Sequence, residues 1–397
     1  MNPSPIQVKC IGFYSLLVGL ADLVHGLAIP LLIVIRLKWF SSSDPLPLVL
    51  FMDMDYFFAA CEELRHPELK GKPFVVGSAP VKSKDRGVVE TCNYETRALG
   101  IHSAMPINQA LKLKSDLVYI ESDDKYYMDM SERVMKVLKE CGFRMEVISI
   151  DEAALDLGGM SYDKAEELAK EVKREINSSL GLPCTIGIGP GKVYAKMVCD
   201  RAKPNGIGIL KGEDLKTFLK DKKVEALLGV GRKTAEKLKE MRIKSIGELA
   251  KADPNVLIDN FGSFGKELFL LANGIDESRI EEKYDVLSIG RERTLDQYTN
   301  DMDVIARQLE ALTKEVMDEV KRQQMWFKGI SVKAKYIDMT ERIKNRALSN
   351  YSDSFEFTYK TALELMKELV RDKQVRKVGV RVYAVESRKG QSTIFGT

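Results

Sequence analysis

Two acidic clusters interrupt apolar stretches of this chain: Asp53 and Asp55 in LVLFMDMDYFF (residues 48–58), and Asp151 and Glu152 in SIDEAALD (residues 149–156). Strand side chains alternate faces with a period of two. Asp53 and Asp55 therefore share the parity of Val49 and Phe51, and an apolar face turns acidic at its C-terminal end. Two carboxylates placed there cost several kcal/mol each unless something cationic meets them. Asp151 and Glu152 point to opposite faces of an ideal strand, so both serve one site only at a strand end or a bulge. The two motifs lie 98 residues apart, from Asp53 to Asp151, a separation that adjacent strands of one sheet can close. Carboxylates converging in a cleft hold a pair of divalent ions about 4 Å apart, which clamp the attacking and leaving oxygens of a phosphoryl transfer. The plainer reading of an acidic strand end is a solvated turn or the partner of an arginine.

Phosphoryl transfer also needs cations on the substrate phosphates. Tyr94 and Arg97 of NYETR stand at i, i+3 on one face of a helix start, a hydroxyl and a guanidinium suited to a triphosphate. Lys203, beside a Pro-Asn-Gly turn, is a third candidate. Their structural alternatives are an Arg97 pair with Glu95 or Asp85, and Lys203 as a dipole partner at its helix C-terminus. In LLGVGRKTAEKL (residues 227–238) a hydrophobic-Gly-hydrophobic-Gly turn joins two helices. Backbone N–H groups around Gly229 and Gly231, with Lys233 beside them, can bind a DNA phosphate without reading sequence. A plain helical turn is the alternative.

These residues sit in a chain of 397 residues, too long for one compact core and suited to about two to four domains. Hydrophobic content of 45% and charged content of 30% are those of a soluble globular protein. The net charge of +3 is unevenly spread: residues 1–47 carry +1, residues 289–397 carry +5 and the middle −3. A C-terminal surplus marks either a polyanion-binding module or a solvated mixed-charge surface. Six scattered cysteines without CxxC spacing argue against a zinc knuckle or a disulfide framework, and for a reducing cytoplasm. The three histidines, His25, His66 and His102, occupy no metal or triad motif. Any metal is then held by carboxylates, which suit Mg²⁺ or Mn²⁺.

Residues 10–35 are strongly apolar and long enough to span a membrane, but Asp22, His25 and Pro30 interrupt them. A charge at mid-bilayer costs about 3 kcal/mol or more. The preferred reading is an N-terminal extension, an over-called start upstream of the first strand, with SSSDPLP (41–47) as the break before the folded body.

Periodicity places a helix after the DMD strand, short strands at KPFVVG and GVVETC, and a helix over 123–140 with Tyr127, Met130, Val134, Val137 and Leu138 on one stripe. MEVISIDEAALDL reads as one strand, followed by a helix, the strand CTIGIG and the helix KVYAKMVCDRAK. Together they predict an α+β domain: an antiparallel or mixed sheet with helices on one side. Short lysine-rich helices begin near residue 213, a charged stretch covers 277–288, and a βαββαβ order comes after it.

Taken together, FMDMDYFFA, TCNYETR, SIDEAALD, KVYAKMVCDRAKPNGIGIL and LLGVGRKTAEKL resemble the Y-family translesion DNA polymerases, in the DNA polymerase IV branch, from about Leu48 to Tyr383. The resemblance implies a right-hand polymerase: palm over 48–56 and 123–212, fingers over 57–122, a helical thumb with its helix-hairpin-helix over 213–276, a linker over 277–288, and a βαββαβ little finger over 289–387. It implies Asp53, Asp151, Glu152 and the backbone carbonyl of Met54 as ligands of two Mg²⁺, and Tyr94, Arg97 and Lys203 as contacts to the incoming dNTP. Phe58 matches the steric gate, whose bulk beneath the sugar leaves no room for a 2′-OH; a core Phe is its alternative. Asp55 is left without a metal role, capping the following helix or answering a base.

The chain departs from the family at Ala154, where an aromatic is usual, at Glu90 near the nascent base pair, and at Leu228 in the thumb hairpin. The expected partners are primer-template DNA and dNTP, bound by a monomer. The tail over 388–397 resembles a shortened sliding-clamp-binding peptide anchored by Gln391, Ile394 and Phe395. The expected activity is low-fidelity template-directed synthesis past damaged bases; the alternative is a catalytically silent DNA-binding scaffold.

Overall fold

The structure, a computed structural model, describes residues 46–77, 87–282, 286–370 and 373–387. The apolar stretch over 10–35, Asp85, and the tail with Gln391, Ile394 and Phe395 lie outside the described residues. The chain divides into two compact units, residues 1–282 and 283–397.

In the first unit, β1 (Leu48–Met54) is the middle strand of a five-stranded sheet ordered β5-β6-β1-β7-β8, antiparallel except for the β7–β8 pair. Its partners are β6 (Glu152–Asp156) and β7 (Cys184–Pro190), flanked by β5 (Arg144–Val147) and β8 (Ile207–Ile209). Between β1 and β5 come α1 (Phe57–Arg65), the strands β2 (Phe74–Gly77) and β3 (Val89–Cys92), α2 (Tyr94–Ala98), α3 (Ile107–Leu113), β4 (Val118–Glu121) and α4 (Asp124–Glu140). β2, β3 and β4 form a separate three-stranded sheet.

Two sequence expectations need correction. MEVISIDEAALDL is a hairpin, because Ile148 and Ser149 both donate their N–H to the Glu152 carbonyl and close a turn between β5 and β6. Helices also cover both faces of the main sheet. Leu50 and Met52 pack with Tyr127 and Val134 of α4 and with Ala169 and Ile176 of α5 (Tyr162–Leu180). Val49 and Phe51 pack with Ala195 and Cys199 of α6 (Lys192–Ala202). β1 is apolar at both parities, the pattern of a strand covered on both sides.

α6 lies unusually close to β7. A Cβ on Gly187 would stand 2.1 Å from the Ala195 carbonyl oxygen and 2.5 Å from the Cys199 nitrogen. Gly187→Ala must therefore push α6 off the sheet. We expect a loss of about 3 kcal/mol, the upper range of overpacking costs, read as a lower urea midpoint with an unchanged slope. An unchanged midpoint would show that α6 is not seated by this contact.

Five further helices, α7 (Leu215–Lys220), α8 (Arg232–Glu240), α9 (Ile246–Leu249), α10 (Pro254–Phe261) and α11 (Ser263–Ala272), gather around Leu219, Leu238, Leu249, Leu257 and Leu268. Residues 276–282, which include the start of the charged stretch, pack within this unit. Asp276 accepts from the Val193 N–H at 2.8 Å, Arg144 donates to the Ile280 carbonyl, and the Glu281 N–H donates to Glu146. Ile280 packs with Val49, Phe51 and Ala154, so an apolar side chain borrowed from 276–282 covers the small Ala154.

The second unit has the expected βαββαβ order: β9 (Ser288–Thr299), α12 (Met302–Arg322), β10 (Met325–Tyr336), β11 (Glu341–Ser352), α13 (Phe355–Leu369) and β12 (Val375–Ser387), with sheet order β11-β10-β12-β9. Val332, Ala334, Val378 and Val380 meet α12 and α13. The intervening residues Lys333, Lys335, Lys377 and Arg381 have the opposite parity and occupy the other face. Among the described residues no helix is long and apolar enough to cross a membrane.

Candidate active site

The register of β1 and β6 places Asp53 opposite Glu152. Asp53 is 3% exposed and lies at the end of β1, on the face that α6 covers. The cation that meets it is one that no sequence motif singled out. Lys196 Nζ, from α6, lies 2.6 Å from Asp53 Oδ2 and 2.7 Å from Glu152 Oε1, with Asp200 Oδ1 at 2.9 Å. Lys203, the C-cap residue of α6, reaches the same Asp53 oxygen at 2.7 Å. The signal for Lys196 was a lone lysine within the apolar run VYAKMV, one helical turn after Lys192.

The electrostatics of the site reflect this arrangement. Burial raises the Asp53 carboxyl, but Lys196 and Lys203 outweigh it and hold the group below the ordinary aspartate value. Burial, and then the neighbouring Asp53, raise Glu152, with Lys196 opposing. Burial would discharge Lys196, but Asp53 and its other carboxylate partners prevail and its affinity for the proton is raised. The site therefore holds three carboxylates, Asp53, Glu152 and Asp200, around two ammonium groups.

Asp151 sits in the turn before β6. Its Oδ1 accepts from Ser149 Oγ at 2.6 Å, and its carbonyl accepts from the Met54 N–H at 2.9 Å. Met54, 2% exposed, is the last residue of β1. The three carboxylates thus gather at one sheet end, as the strand-end reading of IDEA required. Among the described residues, however, no three histidine, cysteine or carboxylate side chains converge as a ready metal cluster. The donor chemistry still fits a hard divalent cation: oxygen ligands on two adjacent strands, arranged around positive charge.

Asp55 does not cap α1, whose N-cap is Tyr56 with φ 38° and no side-chain capping bond. It accepts instead from Thr185 Oγ1 (2.9 Å), the Asn205 N–H (2.7 Å) and the Tyr94 hydroxyl (3.4 Å). Tyr94 opens α2, capped by Asn93, and stands edge-on to Tyr56. The Arg97 guanidinium lies 5.1 Å from the Tyr94 ring centre and donates to the Cys92 carbonyl at 3.2 Å. It forms no ion pair with a carboxylate among the described residues, and the residue is exposed.

Phe58, in the first turn of α1, stacks on Tyr127 with ring centres 4.4 Å apart and planes 11° apart. Tyr127 is fully buried and donates to Glu62 Oε1 at 2.7 Å, which fixes the surface on which Phe58 rests. Phe58 itself stays half-buried, whereas Phe57 is a core residue at 3% exposure.

The glycine turn comes after a short 3₁₀ segment (Val224–Ala226), not an α-helix, and leads into α8. Gly229 has φ 86° and Gly231 is the N-cap, with Lys233 exposed in the first turn. Residues 225–231 line a groove shared with Lys196, Met197 and Asp200 of α6.

Comparisons with known proteins agree with this geometry. Residues 52–200 match the impB/mucB/samB family, residues 286–394 its C-terminal domain, and residues 225–276 the thumb domain described for DNA polymerase-iota. The chain is 37% identical to DNA polymerase IV of Methanosarcina acetivorans, over 88% of this chain and 98% of that protein. It is 36% identical to DNA polymerase IV of Lactococcus lactis subsp. cremoris, over 86% of this chain and 94% of that one. Among solved structures it resembles a Y-family DNA polymerase chimera of Dbh and Dpo4, with a TM-score of 0.81 and 32% identity over 86% of this chain and all of the other. It also resembles Dbh DNA polymerase in an insertion ternary complex, at a TM-score of 0.62 and 31% identity over 86% of this chain and all of the other.

Proposed function

This chain belongs to the impB/mucB/samB family, the Y-family DNA polymerases, and we propose that it performs translesion DNA synthesis with Asp53, Asp151 and Glu152 as its catalytic carboxylates. It is a DNA-directed DNA polymerase: the primer 3′-OH attacks the α-phosphate of a dNTP in line, the α–β bond breaks, and pyrophosphate leaves. The observation that carries the assignment is the register of Asp53 against Glu152 at the buried end of β1.

Asp53, Glu152 and the Met54 carbonyl would hold two Mg²⁺, with Asp151 joining them by giving up its bond to Ser149. When bound, the pair supplies positive charge at the attacking and leaving oxygens. The chain's own cations act beside it. Without metal, Lys196 holds Asp53 ionised and lies between the carboxylates; its ammonium would withdraw toward Asp200 when the ions are bound. Lys203, Arg97 and the Tyr94 hydroxyl grip the triphosphate, and Phe58 closes the space below the sugar.

The five-stranded sheet, over 48–56 and 123–212, is then the palm, and 57–122 the fingers. The helical segment over 213–276 is the thumb, whose turn at Gly229, Gly231 and Lys233 meets a DNA phosphate. Residues 277–288 link it to the little finger over 289–387, whose open face presents Lys333, Lys335, Lys377 and Arg381 to the duplex. The five free cysteines among the described residues support a cytoplasmic location. The rival scaffold reading is disfavoured because all three carboxylates are retained at one sheet end.

Single-nucleotide insertion on a primer-template, with and without Mg²⁺, tests the reaction. Insertion that is lost in EDTA and restored by Mg²⁺ is expected; insertion indifferent to EDTA would contradict the metal assignment. In the same system Lys335→Ala with Arg381→Ala should reduce the slope of log K against log salt by about 1.8, at roughly 0.9 per phosphate contact. An unchanged slope would take the duplex off this face.

A further inference from the structure

The structure gives Asp55, which has no place among the metal ligands, a set of partners drawn from distant parts of the chain. It is 1% exposed at the end of β1 and receives three hydrogen bonds. Thr185 comes from β7, Tyr94 from α2 and Asn205 from the turn after α6; they are 130, 39 and 150 residues away in sequence. Two of these partners bear directly on the triphosphate site. Tyr94 is itself one of its candidate contacts, and Asn205 lies two residues after Lys203.

The turn is held from its other side as well. Asn205 has φ 50°, a left-handed conformation that Asn tolerates better than most residues. Its side-chain oxygen accepts from Lys173 Nζ at 2.8 Å, and the same ammonium donates to the Cys184 carbonyl at 2.6 Å. The turn carrying Lys203 is thus fastened to Asp55 through its backbone and to α5 through its side chain.

We infer that Asp55 is a positioning residue for triphosphate binding, holding the Lys203-bearing turn in register with the carboxylates and the Tyr94 side chain beside it until the hydroxyl turns its one proton from Asp55 to a phosphate oxygen. The inference rests on the reading of Tyr94, Arg97 and Lys203 as triphosphate contacts. A buried carboxylate accepts at both oxygens and donates nowhere. Asn in its place offers one acceptor and two donors, so either the Asn205 N–H or the two hydroxyls face an N–H instead of an oxygen. The displaced elements are those that touch phosphate, and the duplex-binding surfaces are untouched.

The test is single-turnover insertion by the full chain, with Asp55→Asn compared with the parent. The dNTP dissociation constant should rise about tenfold or more, while that for primer-template stays within about twofold. Inhibition by inorganic tripolyphosphate, which has no sugar or base, should weaken by the same factor. Tyr94→Phe should cost less in the Asp55→Asn background than in the parent, because the two share one contact. An unchanged dNTP constant, or an equal loss of DNA affinity, would overturn the inference.

Lys203→Ala separates this from failure of the underlying reading. If it weakens dNTP binding and Asp55→Asn does not, only the positioning role falls. If neither weakens it, the triphosphate site itself is misplaced and the inference falls with it. Should Asp55→Asn fail to fold, Thr185→Val removes one donor from the same carboxylate at nearly constant volume. It should raise the dNTP constant about threefold, and no change there would equally overturn the inference.

Discussion

Asp53→Ala and Glu152→Ala should each reduce single-nucleotide insertion by about a thousandfold or more, roughly 4 kcal/mol of transition-state stabilisation. A loss of this size arises when a ligand that organises charge at the reacting oxygens is removed. Primer-template affinity should stay close to that of the parent, because the duplex is held by other surfaces. The fold should survive as well. Without Asp53, Lys196 retains Glu152 at 2.7 Å and Asp200 at 2.9 Å, so its charge is not left buried and unpaired. Asp151→Asn should lose activity by the same route, although its side chain lies on Ser149 rather than on Lys196. Insertion rates and DNA anisotropy measured on the same preparations check this. Undiminished insertion in any of the three variants would remove that residue from the metal set.

Phe58→Ala should admit ribonucleotides. The ring stands on Tyr127, and Tyr127 is fixed by its hydrogen bond to Glu62, so the side chain has a rigid floor against which to exclude a hydroxyl. Removing it opens space for a 2′-OH without disturbing a ligand or a phosphate contact. The ratio of dNTP to rNTP efficiency should fall about a hundredfold, the scale on which pocket shape alone discriminates. Efficiency with dNTP should change by less than about tenfold. Unchanged discrimination would return Phe58 to its alternative role as a core residue. Competing insertion of dCTP and rCTP opposite template dG reads both quantities at once.

The arrangement of the carboxylates was legible in the sequence because it depends on rules of short range. Parity places Asp53 on the Phe51 face, and the strand-end position of IDEA is dictated by the adjacent acids Asp151 and Glu152. Pairing of the two strands then needs only that they be neighbours, and the observed register is Asp53 with Glu152. The helix on the second face was missed, although a strand apolar at both parities signals it.

The remaining features depend on distant packing. Lys196 meets Asp53 because Gly187 has no Cβ to hold α6 off the sheet, and no local pattern in KVYAKMVC encodes that approach. Asp55 looked like a helix cap because three of its determinants, Tyr94, Thr185 and Asn205, are scattered over the chain. The turn within MEVISIDEAALDL was hidden because Ile148 and Ile150 continue an apolar run through it. Ile280 on Ala154 was invisible for a related reason: a charged stretch concealed one isoleucine that packs inward.

The most direct test is primer extension by the full chain, on an undamaged template and on one carrying an abasic site, with Mg²⁺ and all four dNTPs. Extension to the template end on the first, and products past the lesion on the second, are expected, with both lost in Glu152→Ala. Tight binding of primer-template without extension on either template would contradict polymerase activity and favour the silent scaffold.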